Sequence, residues 1–295
     1  METIGWVGLG AMGSAMAAHV AAAGHGLVVF ARGAASAERA AALGAVVVDD
    51  PAAVAAAADA VVTVVSMPAD VREVYLAERG LLAGARAGSL LVDMSTSSPE
   101  LARQIASRAG QVGALAVDAP VSGGPVAAEA ATLSIMVGGE PEAVERARPL
   151  LALLGTTIVH QGGPGSGQET KLANQVALAG SMLGICEAFL FARDRGLDQE
   201  RVLEAIAGGI AGSALTRFVW TRLAAAEMEG GFGIGLMVKD LRLALECGDL
   251  PGVALVLSLY DRALAAGFAS AGSQALVAGL DDPRRWKPAH PEEAP

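Results

Sequence analysis

Two hydrophobic periods divide this chain. In the first half, short runs rich in valine, isoleucine and leucine alternate with longer alanine-rich stretches. Residues 4–8 read as a strand and are followed by a helix to about residue 23; Gly24 and Gly26 then make the turn into a second strand at 27–31. A helix over 35–43 leads to a strand at 45–48. Further strands are predicted at 60–65, 89–93 and 115–118, with 134–137 and 157–160 extending the same sheet. Strands separated by helices imply βαβ units, and so a parallel sheet.

The pattern changes near residues 162–167, where glycines precede an apolar stretch almost free of breakers. That stretch predicts one long helix over 169–195, stopped by Gly196, with Asp198 capping the next helix at 199–207. Helices at 236–247, 253–266 and 273–279 follow, and the charged, proline-bearing segment from Asp281 is expected to be a surface tail. The long helix carries apolar residues all round, including Val176, Leu178, Met182, Leu183, Ile185, Phe189 and Leu190. Such a helix should be buried on more than one side, against the first domain and against another subunit. The expected fold class is α/β. A doubly wound sheet over residues 1–163 is followed by an all-α domain over 164–295 for substrate binding and oligomerisation, with the long helix between domains.

Composition narrows the function classes. Of 295 residues, 53% are hydrophobic and 18% charged, so a large core is expected and disorder is not. A net charge of −10 argues against a nucleic-acid surface, which needs clustered lysine and arginine. Cys186 and Cys247 form no CxxC pair, and His19, His25, His160 and His290 are scattered, so no metal site is expected. Two free, reduced thiols fit a cytoplasmic protein, and the N-terminus shows no basic start ahead of a long apolar run. The most apolar window, 173–192, carries Asn174, Gln175 and Glu187, so a buried helix is expected there rather than a membrane span.

The first chemical signal is Gly8-Leu9-Gly10-Ala11-Met12-Gly13, a GxGxxG stretch between a predicted strand and a predicted helix. In this context the first glycine permits a tight turn, the second lets a pyrophosphate approach the backbone and the third lets helix and strand pack closely. The free N–H groups of the helix start then attract phosphate, so a dinucleotide-binding, Rossmann-type domain is expected. At the end of the second strand stands Arg32, where an acidic residue would bind a ribose 2′-hydroxyl. An arginine there can pair with a 2′-phosphate or stack on adenine, which favours NADP and leaves NAD possible.

Three further segments carry polar groups among glycines. In Asp118-Ala119-Pro120-Val121-Ser122-Gly123-Gly124, Ser122 and exposed N–H groups can cradle a carboxylate, although the segment alone also reads as an ordinary loop. In Gly165-Ser166-Gly167-Gln168-Glu169-Thr170-Lys171-Leu172-Ala173-Asn174, Lys171 and Asn174 are three apart and share one helix face. Burial on an otherwise apolar helix should lower the pKa of Lys171 toward proton exchange near neutral pH; the bland alternative is a lysine that snorkels to water. In the third segment Lys239 and Asp240 begin a helix after a glycine-rich loop, as parts of a site or as a surface ion pair.

Taken in order, GLGAMG, the Asp93-Met94-Ser95-Thr96 stretch, APVSGG, GSGQETKLAN and the Lys239-Asp240-Leu241 box resemble the β-hydroxyacid dehydrogenase family, over roughly residues 4–280. This family includes 3-hydroxyisobutyrate dehydrogenase and tartronate semialdehyde reductase. The resemblance implies that Lys171 is the catalytic lysine and that Ser122, Gly123, Gly124 and Asn174 hold the substrate. It implies that Thr96 and the Ser66-Met67-Pro68 turn line the cofactor, and that Lys239 reaches cofactor or substrate. The expected activity is hydride transfer between NADP(H) and a small 3-hydroxy acid or its semialdehyde, in a homodimer or homotetramer. Ala31-Arg32-Gly33 departs from the Asn-Arg-Thr of many NADP-preferring members and keeps only the arginine. An imine reductase of the same architecture, and a non-catalytic dinucleotide-binding protein, are the rival readings. Lys171 counts against the first, and Lys171, Asn174 and Ser122 together count against the second.

Overall fold

Valine-rich strands buried on both faces need cover on both sides, and the alanine-rich segments supply it. The computed structural model of the chain describes residues 2–286, in two compact units, Met1–Lys171 and Leu172–Pro295. The first unit runs β1 (Thr3–Val7), α1 (Ala11–Ala22), β2 (Gly26–Phe30), α2 (Ala34–Ala42), β3 (Val46–Val48), α3 (Pro51–Ala57), β4 (Ala60–Thr63), α4 (Pro68–Leu76), α5 (Leu81–Gly84) and β5 (Leu90–Asp93). It continues through α6 (Pro99–Gln111), β6 (Leu115–Asp118), β7 (Val121–Ser122), α7 (Gly124–Glu129), β8 (Leu133–Gly138), α8 (Pro141–Leu151) and β9 (Gly155–Gly162).

The sheet order is β3-β2-β1-β4-β5-β6-β8-β7, with β9 paired to β8. The first six strands in that order are mutually parallel, β8 is antiparallel to β6 and β7, and β9 is parallel to β8. Successive residues of one strand enter different cores. Trp6, Val29, Val62 and Val92 lie in one cluster, while Val7, Val61 and Leu91 lie in another. This is why the strands read as continuous apolar runs rather than as alternating ones. Register places Phe30, Val7, Thr63, Asp93 and Asp118 in one row across five strands, so the loops after that row leave the sheet along one edge.

Helices α3, α4, α6 and α8 were not delimited in the sequence reading, although α6 buries one face, Leu101, Ala102, Ile105 and Ala109, at helical spacing. Each opens on proline in its first turn, with Asp50 accepting from the Ala53 N–H and Ser98 from the Leu101 N–H. Proline costs nothing there, because that N–H has no partner inside the helix.

The long helix α9 (Ser166–Asp194) starts three residues earlier than its apolar pattern suggests. In the second unit follow α10 (Gln199–Ala207), capped by Asp198 as expected, α11 (Ala214–Ala224), α12 (Ile234–Cys247), α13 (Pro251–Ala265), a 3₁₀ turn at Ser273–Leu276 and α14 (Val277–Leu280). Among the described residues α9 is the one helix long and apolar enough, by length and composition, to cross a membrane. Its Ala179, Met182, Cys186 and Phe189 belong to the core of the second unit, with Trp220, Met237 and Tyr260. Burial there pushes the Cys186 thiol up to about 12.

The segment after Asp281 departs from the expected surface tail as far as Trp286. Arg193 Nη1 and Trp286 Nε1 both donate to Asp281 Oδ2, at 2.6 and 3.1 Å. The indole is 4% exposed and meets Phe189 edge-on, with centroids 6.1 Å apart. Proline and charge suggested a loop, but one aromatic and one carboxylate suffice to pin it. The rest of the tail, His290 included, lies outside the described residues. Trp286→Ala should therefore lower stability by about 3–5 kcal/mol, as for a buried aromatic. A surface position would lose under about 0.5 kcal/mol, and urea unfolding midpoints separate the two outcomes.

Candidate active site

The turn between β1 and α1 uses its three glycines differently. Gly8 has φ +102°, and a side chain there would overlap the Val64 carbonyl. A Cβ on Gly13 would overlap the Gly8 carbonyl oxygen, which also accepts a hydrogen bond from Trp6 Nε1 at 3.1 Å. These two are glycine because strand, turn and helix pack closely. Gly10 is different. As N-cap of α1 it makes no side-chain cap, and nothing lies within 4 Å of where its Cβ would stand. The space is open in front of a helix N-terminus, whose first N–H groups lack partners within the helix. Leu9 is buried and its carbonyl accepts from Ser14 Oγ, while Ala11 is exposed and Met12 half-buried. The arrangement fits a pyrophosphate, held by N–H groups and the helix dipole.

Other candidate cofactor residues follow the same edge of the sheet. Arg32, just past β2, pairs through Nη1 with Asp70 Oδ1 at 3.0 Å and is largely exposed. The other oxygen of Asp70 accepts the Met67 N–H at 3.1 Å, so the carboxylate also closes the first turn of α4 beside Pro68. Ser95 Oγ accepts the Val65 N–H at 2.9 Å, which ties the segment after β4, with Ser66, Met67 and Pro68, to the segment after β5, with the half-buried Thr96.

The start of α9 is organised by Asp118, the last residue of β6. Its Oδ1 accepts the Gly165 N–H at 2.7 Å and its Oδ2 the Gln168 N–H at 2.8 Å. Burial raises the Asp118 carboxyl above its ordinary value of 3.8, and these backbone donors oppose the rise. Side chains on Gly138 or Gly167 would collide with this contact. Gln168 has no exposed surface; its Nε2 donates to Ser95 O at 2.8 Å and its Oε1 accepts the Ser97 N–H at 2.9 Å. One turn further, Lys171 is 6% exposed. Ser122 ends the short strand β7, opposite Ser134 of β8. Gly123 and Gly124 follow at φ +131° and +67° and open α7, so the segment read as a loop is an ordered strand–turn–helix.

In the second unit a chain of polar contacts links the other expected residues. Asn174 Nδ2 donates to Gln175 Oε1 at 2.8 Å, and Gln175 Nε2 donates to Asp240 Oδ2 at 2.6 Å. Asp240 Oδ1 lies 3.0 Å from Lys239 Nζ, with side-chain exposures of 1% and 9%. This is a buried ion pair rather than a surface one. It also lies more than a turn inside α12, which begins at Ile234, and not at a helix start as the glycine-rich loop suggested.

Comparison with known proteins shows the family. Residues 3–163 match the family model described as the NAD-binding domain of 6-phosphogluconate dehydrogenase. Residues 165–280 match the model for the NAD-binding domain of NADP-dependent 3-hydroxyisobutyrate dehydrogenase. The chain belongs to the β-hydroxyacid dehydrogenase family. It is an NAD(P)-dependent hydroxyacid dehydrogenase. The chain is 38% identical over 283 residues to 2-hydroxy-3-oxopropionate reductase of Escherichia coli, covering 94% of this chain and 97% of that one. It is 42% identical over 284 residues to a probable 3-hydroxyisobutyrate dehydrogenase-like 1, mitochondrial, of Arabidopsis thaliana, covering 94% and 85%. The solved Mycobacterium tuberculosis 3-hydroxyisobutyrate dehydrogenase with L-serine superposes with TM-score 0.86 at 34% identity, covering 95% of this dehydrogenase and 99% of that chain. A structure described as Psf3 in complex with NADP+ and 2-OPP has the same TM-score at 28% identity, covering 94% and 100%. An imine reductase from Pseudomonas, at 22% identity and TM-score 0.61, shares the fold.

Sequence reasoning singled out Lys171 and Asn174 but assigned no role to Asp118, Gln168 or Gln175. Their partners lie 47 or more residues away, and only the fold reveals them. The glycine turn yields a paired test. Gly13→Ala should lower the melting temperature, because its Cβ overlaps a carbonyl. Gly10→Ala should leave melting unchanged yet weaken cofactor binding, measured by fluorescence titration with NADPH and NADH.

Proposed function

We propose that this dehydrogenase transfers hydride reversibly between NADP(H) and a small 3-hydroxy acid or its semialdehyde. The observation that carries the reading is Lys171, an almost fully buried amine one turn past the Asp118-anchored start of α9. Buried amines beside a site are apt proton-transfer groups, because burial favours the neutral form. The nicotinamide supplies the hydride donor or acceptor. In oxidation, Lys171 Nζ takes the hydroxyl proton as the carbinol carbon gives up hydride and becomes a carbonyl. In reduction it returns that proton to the developing alkoxide. Ser122 and the N–H groups at Gly123 and Gly124 anchor the substrate carboxylate, Asn174 orients the substrate, and Lys239 engages cofactor or substrate. Gly8, Leu9, Gly10, Ala11, Met12 and Gly13 bind the pyrophosphate, with Met67, Pro68 and Thr96 lining the rest of the cofactor. The small carboxylate-bearing substrates named for the relatives above support the substrate class.

The preference for NADP rests on Arg32. Its guanidinium is exposed at the strand end where the ribose 2′ substituent is read, and no carboxylate stands at 31–33 to accept a 2′-hydroxyl. We place the protein in the cytoplasm as a homodimer or homotetramer. Two cysteines, neither in a disulfide, support the first, and the 61% exposure of Phe191 on α9 supports the second.

NADPH and NADH oxidation with tartronate semialdehyde, and NADP+ and NAD+ reduction with 3-hydroxyisobutyrate and L-serine, test the reading. Lys171→Ala should lower kcat by at least ~10²-fold while NADPH still binds. A near-normal kcat would sink the mechanism. Arg32→Asp should favour NADH over NADPH. Asp70→Asn keeps an acceptor for the Met67 N–H but frees Arg32. An exposed ion pair holds up to ~1 kcal/mol, so the NADPH dissociation constant should fall by up to ~5-fold, with NADH unaffected. A wild type that already prefers NADH would overturn the cofactor assignment.

A further inference from the structure

Gln168 does more than fill space. Its side-chain amide bonds the Ser95 carbonyl and the Ser97 N–H, groups 73 and 71 residues away that flank Thr96. Its own backbone N–H is held by Asp118. The residue is thus fixed at three points and has no exposed surface. Three residues later the same helix carries Lys171.

We propose that Gln168 is a positioning residue for hydride transfer, because its buried amide sets the distance between the Thr96 segment and the helix turn bearing Lys171. The inference rests on the reading of Thr96 as a cofactor contact and Lys171 as the proton-transfer group.

Each of the two parts is anchored without Gln168's side chain. The segment after β5 is held to the sheet by Ser95 N–H on Asp93 Oδ1 at 3.0 Å and by Ser95 Oγ on the Val65 N–H. The start of α9 is held by Asp118, which bonds backbone N–H groups and not the Gln168 amide. Removing that amide therefore severs a link between two pieces that stay attached to the sheet. It leaves a buried carbonyl and a buried N–H without their partner, which is a stability cost, but neither piece is released. What changes is the placement of a cofactor contact relative to a proton donor. Catalysis is steep in that quantity, since a misplacement of ~1 Å can cost ~10²-fold in rate.

Gln168→Glu keeps an acceptor for the Ser97 N–H and loses the donor to Ser95, while Gln168→Leu loses both. Both are compared with wild type on the panel substrate that the wild type turns over best. The measurements are kcat, KM, NADPH dissociation constant, melting temperature and the primary isotope effect, with NADPH deuterated at nicotinamide C4 for a reduced substrate or the carbinol carbon deuterated for an oxidised one. In a folded variant kcat should fall ~10- to 100-fold, with the NADPH dissociation constant within ~3-fold. The isotope effect should rise as hydride transfer becomes rate-limiting, a change that partial unfolding does not produce. Wild-type kcat and isotope effect in a folded variant overturn the proposal. So does a loss of activity that merely tracks the loss of folded protein, or failure of both variants to fold. If Lys171→Ala is active, or no panel substrate is turned over, the underlying reading falls and the inference with it. If Lys171→Ala is inactive and Gln168→Glu is normal, the inference alone fails.

Discussion

A single carboxylate sets the register of the helix that carries the candidate acid/base. Asp118 closes a parallel strand and accepts the N–H of Gly165, just before α9, and that of Gln168 in its first turn. Helix starts expose such donors, and a carboxylate there satisfies the donors and the dipole together. The glycines around it follow from that contact. Gly138 and Gly167 lack side chains because the helix start approaches the strand ends too closely to admit them. With the first turn fixed, Lys171 one turn later is fixed as well. Burial raises the carboxyl's pKa even against its N–H partners, so the contact is held by geometry and packing as much as by charge.

The sheet edge extends the same logic toward the cofactor. One row of paired residues, from Phe30 to Asp118, aligns the loops that carry the phosphate turn, Arg32, Met67, Thr96 and the Asp118 segment. Parallel strands of open sheets present ligand sites at that edge, since the loops leave there and helix N-termini return. Side-chain bonds then cross-link neighbouring loops, Ser95 to Val65, Asp70 to Arg32 and Gln168 to both sides of Thr96.

Much of this was legible in the chain itself. Strand and helix periods located the parallel sheet and α9, and five ordered motifs pointed to the family and to the candidate residues. The strand–glycine–helix turn at Gly8–Gly13 was readable as well, because its strand, glycines and helix start are contiguous in sequence. What sequence could not show were pairings of distant polar residues. Gln168 looked like one more polar residue in a motif, and Asp240 like part of a site or half of a surface ion pair. Their meaning depends on burial, which a motif does not encode. Trp286 was hidden for the opposite reason, because charge and proline around it outweighed one aromatic in a local reading. Helix α6 went unread although Ser98, Pro99 and the apolar face of Leu101, Ala102, Ile105 and Ala109 carry both its cap and its period.

The buried cysteine of α9 has a practical meaning. With its thiol pushed up to about 12 and its sulfur inside the core of the second unit, Cys186 is almost wholly protonated and shielded in the native state. Cys247 is exposed and accessible to the same reagents. An alkylating agent thus meets one thiol at once and the other only when the middle of α9 opens. The molecule carries its own clock for local opening, with the slow thiol timing the departure of the helix from its core and the fast thiol serving as the internal reference.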